Sequence, residues 1–272
     1  MRFADKLAAA WKATNSLVCV GLDPEPKKFP DQFRDAPGGI FQFNRAIIDA
    51  TRDLVCAYKP QFAHYAAHAA ENQLEHTIDY IKSTCPNAIV ILDAKRGDMG
   101  NTAEHYALEA FERYDADALT VNPYLGSDSV EPYLKHADKG VIILCRTSNP
   151  GAKDFQDLDV GGGKKLFQHV AEHVATHWNS NGNCMLVTGA TYPEDLADIR
   201  TRVGDMPLLV PGVGAQGGDV AKVMAAGKTK GGTGLVISSS RAILYASSGD
   251  DFASAARKAT LALRDSINAH RV

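Results

Sequence analysis

Short apolar runs and helix-periodic segments alternate along the chain. Runs rich in Val, Ile and Leu occupy 17–23, 56–61, 88–95, 118–124, 140–147, 184–190, 207–212 and 234–239. Each stays almost continuously apolar until its C-terminal end, as expected of parallel strands covered on both faces. Between them, 40–55, 66–83, 101–114, 163–178, 193–202, 217–226 and 251–268 space their apolar residues as amphipathic helices do. Eight such units within 272 residues predict a single (β/α)8 TIM barrel covering 1–272. An open, doubly wound sheet is the alternative. No linker or low-complexity stretch divides the chain. The longest irregular segment, 149–163, is long enough to act as a lid over a site.

Composition narrows the class of partner. The formal charge is −3, from 29 basic and 32 acidic residues, so no global basic field is available to hold a nucleic acid. No apolar run reaches the ~20 residues of a membrane span, and the N-terminal stretch lacks the apolar core of a secretory signal. The five cysteines, at 19, 56, 85, 145 and 184, are odd in number and form no C-x-x-C pair. Together these features predict a reduced, cytoplasmic protein with no membrane or nucleic-acid partner.

Polar residues gather where the strands end. In order they are Asp23, Lys59, Asp93 with Lys95 and Asp98, Asn122, Thr147 with Ser148, Thr188, the glycine loop after Pro211, and Ser240 with Arg241. In a barrel these ends converge on one rim, where chemistry is carried out. Charges closing buried strands are costly unless they are paired or used. The densest cluster is Asp93-Ala94-Lys95-Arg96-Gly97-Asp98. Asp93 and Lys95 lie two apart and share a strand face. With Lys59 from another strand and Asp98 from the following turn, they offer two ammonium groups and two carboxylates at close range. The competing structural reading is an ion-pair cluster that merely closes the barrel mouth.

Gly212-Val213-Gly214-Ala215-Gln216-Gly217 fits G-x-G-x-x-G, yet no acid follows about 20 residues later to hold a ribose. A phosphate site built from the loops after the seventh and eighth strands and a helix N-terminus suits it better, with Gln216 and Arg241 as donors. Gly227-Lys228-Thr229 lacks the rest of a P-loop and reads as a helix end. His169, His173 and His177 recur at i, i+4 and i+8. They belong to the outer helices, so a surface role outweighs a zinc site, and His64 and His68 take the same reading.

The run LDAKRGDMGNTAEHYA (92–107) closely resembles the active-site motif of orotidine 5′-phosphate decarboxylases. So do GLDP (21–24), KPQFAHY (59–65), RTSNPG (146–151), VPGVGAQGGD (210–219) and SSSRAILYA (238–246). The resemblance spans nearly the whole chain in order and is similar to the longer bacterial, type 2 branch. It implies a charge tetrad of Lys59, Asp93, Lys95 and Asp98. It further implies Asp23 on the ribose hydroxyls, Ser148 on the pyrimidine, and Pro211 beside Gln216 and Arg241, which bind the 5′-phosphate. Asp98 and Thr102 would reach the neighbouring subunit's site, implying a homodimer with shared sites. Family members need neither metal nor organic cofactor. Ala66 stands where type 2 chains often have Glu, and Met99 where Ile is usual.

The chemistry expected of such a tetrad follows from its charges. Loss of CO2 from C6 of an orotate ring leaves an in-plane carbanion that the π system does not delocalise. A fixed ammonium, Lys95, would stabilise it and then protonate it. Three alternatives compete. A Mg²⁺-using decarboxylase or aldolase of the same superfamily would place a carboxylate where Lys59 stands. A Schiff-base aldolase needs a lysine that is not flanked by acids. A non-catalytic nucleotide binder needs no tetrad at all.

Overall fold

The computed structural model describes residues 1–213 and 219–271. Eight strands close into a barrel in sequence order: β1 (Val18–Leu22), β2 (Ala57–Pro60), β3 (Ile89–Arg96), β4 (Ala118–Val121), β5 (Gly140–Arg146), β6 (Cys184–Thr188), β7 (Leu208–Pro211) and β8 (Leu235–Ser239). All neighbours run parallel, and β1 closes the ring on β8 through Val18 opposite Ile237 and Val20 opposite Ser239. A closed ring has no edge strand, and helices cover its outer face. Hence the strands are apolar on both sides, and the open-sheet alternative is excluded.

The helices are α1 (Phe3–Thr14), α2 (Asp31–Arg34), α3 (Gly39–Thr51), α4 (Phe62–Ala66), α5 (Glu71–Thr84), α6 (Gly100–Leu108), α7 (Ser127–Leu134), α8 (Leu166–His173), α9 (Pro193–Val203), α10 (Val220–Gly227), α11 (Arg241–Leu244) and α12 (Phe252–Asn268). α1 lies across the N-terminal end of the barrel and buries Phe3, Leu7, Ala10 and Trp11. Gly140 lets it approach, since a Cβ there would stand 2.4 Å from the Phe3 ring.

Several expected boundaries move. The helix expected over 66–83 splits into α4 and α5, because the chain turns through Ala69 at φ +49°. Those expected over 101–114 and 163–178 each finish in a turn of π-helix, Glu109–Arg113 and Val174–Trp178. α8 begins only at Leu166. The residues before it form a small hairpin closed by an Asp159–Lys165 bridge. α7 was not expected: it is eight residues long and carries Pro132 inside it.

The 149–163 segment is less irregular than its composition suggests. Pro150–Asp154 form a 3₁₀ turn, and Ala152 is buried. Gln156 pins the segment to the end of β5, accepting from the Thr147 N–H at 2.9 Å and donating to the Thr147 hydroxyl at 2.8 Å. All five cysteines are buried and unpaired. Among the described residues no helix is long and apolar enough to cross a membrane.

Candidate active site

The C-terminal rim holds a cavity of about 200 Å³ lined by Asp23, Lys59, Gln61, Asp93, Pro211, Gly212, the three serines Ser238, Ser239 and Ser240, and Arg241. Apart from Asp93, which lies inside β3, each lies within a residue of its strand's end or just past it. Gly21 makes the junction between the β1 and β8 loops possible: a Cβ there would stand 1.9 Å from the Ser240 Oγ. A larger cavity of about 650 Å³ lies between the ends of β4 and β5 and α8, but no charged side chain lines it. The charges select the smaller one.

Asp93 is the centre of the array. Lys59 donates to its Oδ2 at 2.7 Å, and Lys95 donates to its Oδ1 at 2.6 Å. The Thr120 hydroxyl adds a third donor to Oδ1 at 2.8 Å. Burial alone would raise the Asp93 pKa, but the two lysine charges outweigh it and hold the carboxyl well below the usual range. Burial would likewise lower Lys59, which is only 5% exposed; Asp93 and Asp23 together hold it above the ordinary lysine range. Asp23 Oδ1 lies 3.9 Å from the Lys59 Nζ and, though buried, has no hydrogen-bond partner. Lys95 differs from Lys59 in presenting nearly half of its side chain, 46%, to solvent. One ammonium is thus locked in the wall, and the other reaches the opening.

Two expectations are corrected here. Asp93 and Lys95 do not share a face by regular strand pleating. From Leu92 to Arg96 β3 advances four residues while β4 advances two, from Leu119 to Val121. The surplus forms a bulge, and Lys95 sits at φ +47°. Within a single chain the second carboxylate near Lys59 is Asp23, and Asp98 does not join the cluster. Within this chain Asp98 forms no ion pair with Lys59 or Lys95, and its carboxylate accepts from the Met99 N–H at 2.8 Å.

The remaining candidates fall into three groups. Pro211 and Arg241 line the charged cavity, and Ser148 stands against Gly189, where a Cβ would come within 2.9 Å of the Ser148 Cβ. Thr147 and Asn122 line the apolar cavity instead. Thr102 is exposed on α6, and Thr188 is buried with its hydroxyl unpartnered. Gln216 lies outside the described residues. The loop expected to seat a phosphate lies largely outside the described residues; α10 follows it, its first turn capped by the Asp219 carboxylate through the N–H groups of Ala221 and Lys222. α11 opens at Arg241 itself.

Sequence reasoning did not select Gln61, Thr120, Tyr245 or Arg146. The Tyr245 hydroxyl accepts from the Glu25 N–H at 2.7 Å and donates to the Asp23 carbonyl at 3.0 Å, while the His64 ring pairs with the Pro24 carbonyl at 3.1 Å. The loop presenting Asp23 is thereby fixed from two sides. Arg146, 3% exposed, lies between the Phe167 and Tyr192 rings and pairs with Asp195 at 2.8 Å and Asp157 at 3.2 Å. His169 and His173 on α8 and His177 on the π-helical turn after it form a ladder, their ring centroids 6.0 and 4.5 Å apart. Among the described residues no three His, Cys, Asp or Glu side chains are arranged to hold a metal ion.

A closed parallel barrel with alternating charges at its C-terminal mouth defines a (β/α)8 enzyme acting on a small anionic substrate. Comparison with known proteins makes the class specific: the chain belongs to the orotidine 5′-phosphate decarboxylase / HUMPS family, whose model matches residues 16–259. It is 62% identical over 273 residues to the orotidine 5′-phosphate decarboxylase of Cellvibrio japonicus. It is 60% identical over 271 residues to that of Aromatoleum aromaticum, and each match covers the whole of both chains. Among solved structures, the OMP decarboxylase of Leishmania donovani is similar at a TM-score of 0.85 and 37% identity, covering 100% of this chain and 99% of that one.

Proposed function

We propose that this chain is a carboxy-lyase that converts orotidine 5′-monophosphate to uridine 5′-monophosphate in pyrimidine biosynthesis. The observation that carries this reading is the Lys59–Asp93–Lys95 array at the mouth of the barrel. A lysine rather than a carboxylate at position 59 argues against the metal-using branch of the superfamily. Asp93 and Asp23 hold Lys59 above the ordinary lysine range, which argues against Schiff-base chemistry at that lysine. Full-length identity of about 60% to relatives that bear the decarboxylase name separates this activity from the other branch of the family.

In this reading the pyrimidine's C6 carboxylate sits against Asp93. Two like charges ~4 Å apart at an effective dielectric of ~20 repel by about 4 kcal/mol, worth roughly a thousandfold in rate if the repulsion is relieved as CO2 leaves. The C–C bond electrons remain on C6. The Lys95 ammonium stabilises that carbanion and then gives it a proton, so one proton is consumed for each CO2 released. Asp23, whose buried oxygen lacks a partner, accepts from the ribose hydroxyls. Arg241 and Gln216 hold the 5′-phosphate and Ser148 the ring. Binding energy from the phosphate offsets the crowding at C6 and draws the 149–163 segment over the ligand.

The active unit is a homodimer in the cytoplasm, with Asp98 and Thr102 completing the partner's cavity. Three features support the shared site. Asp98 has no lysine partner in its own chain, Thr102 faces solvent, and Met99, Tyr124 and Leu125 leave large apolar surface exposed on the same rim. The direct test follows the loss of orotidine 5′-phosphate absorbance in buffer containing a chelator. Sustained turnover to UMP is expected; absence of turnover, or its collapse on chelation, overturns the assignment.

A further inference from the structure

We infer that Thr120, in the middle of β4, is a positioning residue that holds the Lys95 ammonium over the reacting carbon; the inference rests on the decarboxylase reading above. The sequence places Thr120 in an apolar strand, and the structure buries it to 1% exposure. It lies opposite the two-residue surplus of β3, between the pairs Leu92–Leu119 and Arg96–Val121, where the ladder has no regular partner to offer. Its hydroxyl fills that gap. The Lys95 N–H donates to the Thr120 Oγ1 at 2.9 Å, and the Thr120 hydroxyl donates its own proton to the Asp93 Oδ1 at 2.8 Å. The same Oδ1 receives the Lys95 ammonium at 2.6 Å.

A small closed circuit results: Lys95 backbone, Thr120 hydroxyl, Asp93 carboxylate, Lys95 side chain. Its polarity is fixed. With one lone pair taken by an N–H, the single hydroxyl proton points at the carboxylate, in a charge-assisted bond. The circuit also explains how Lys95 keeps a left-handed backbone that a lysine disfavours; φ +47° persists only where the surroundings determine it. Thr120 contributes no atom that reacts. It sets where the reactive ammonium stands relative to the carboxylate.

The test compares Thr120→Val, which keeps the shape and removes the hydroxyl, with Thr120→Ser, which keeps the hydroxyl. T120V should lower kcat by roughly 10- to 100-fold, as a misplacement of under 1 Å does, while UMP affinity changes less than about threefold. T120S should stay within about threefold of the parent. Amide hydrogen exchange at Lys95 should accelerate in T120V and not in T120S. A T120V enzyme of near-parental kcat overturns the inference, as does a T120S enzyme as slow as T120V, or Lys95 exchange that does not respond. Should T120V fail to fold, Thr120→Ala supplies the same comparison. An inactive parent enzyme would refute the decarboxylase reading, and the Lys95 exchange rates would still decide the role of Thr120.

Discussion

Lys59 and Lys95 share one carboxylate and do different work because they differ in exposure. Lys59 is buried and paired from two sides, whereas Lys95 reaches the opening. Lys95→Ala should therefore reduce turnover by more than about a thousandfold while UMP still binds, since the phosphate and ribose contacts lie elsewhere; steady-state kinetics and calorimetry check both halves. Asp93→Asn leaves two ammonium groups without their shared partner and should cost about 3 kcal/mol near neutral pH. The pH dependence has a definite sign. The Asp93 pKa is lowered by folding, so its contribution is present above the unfolded value of ~3.9 and fades as pH falls towards the folded one. The Lys59 pKa is raised, so the same contact is present below ~10.4 and is lost as pH rises through the folded value. Urea unfolding of both proteins should thus show a constant gap between about pH 5 and 9 that narrows beyond either side. The chemistry of these residues was legible because charge at the end of an apolar run is conspicuous. Thr120 was not, because a threonine inside a strand looks like any other β-branched residue. Nor was the in-chain separation of Asp98 from the lysines, since linear proximity in D-A-K-R-G-D does not reveal where the turn sends the last carboxylate.

The strands were legible for a simple reason: burial on both faces writes each as a continuous apolar run. The bulge in β3 is absent from that pattern, because its extra residues are themselves the polar ones expected past a strand's end. α7 escaped notice because eight residues give barely two turns of periodicity and Pro132 disguises them. The 149–163 segment reads as a loop, yet Gln156 and the Arg146–Asp157 pair tie it back to the end of β5, and the Asp159–Lys165 bridge closes it on itself. A tie of longer range operates at the opposite end of the barrel. Arg200 on α9 donates to the carbonyls of Gly227, Gly204, Met206 and Gly234, joining the ends of α9 and α10 to the approaches of β7 and β8. Arg200→Met should leave those carbonyls short of donors and lower stability by about 3 kcal/mol, read from the denaturant midpoint, with kcat unchanged because the rim lies at the other end.

A barrel that completes its neighbour's cavity has a property that no single chain possesses. If Asp98 acts across the interface, Lys95→Ala and Asp98→Asn proteins, each inactive alone, should regain about a quarter of the parental activity when mixed and allowed to exchange subunits, as random reassortment of a two-fold dimer gives. No recovery would place Asp98 outside the partner's site. The family match starts at residue 16 and so leaves out α1, whose Phe3 packs on Gly140 and whose Leu7, Ala10 and Trp11 are buried. That helix is the floor of the barrel. A chain trimmed to the matched segment would keep every catalytic group and still uncover an oily base, inviting self-association from the end farthest from the chemistry.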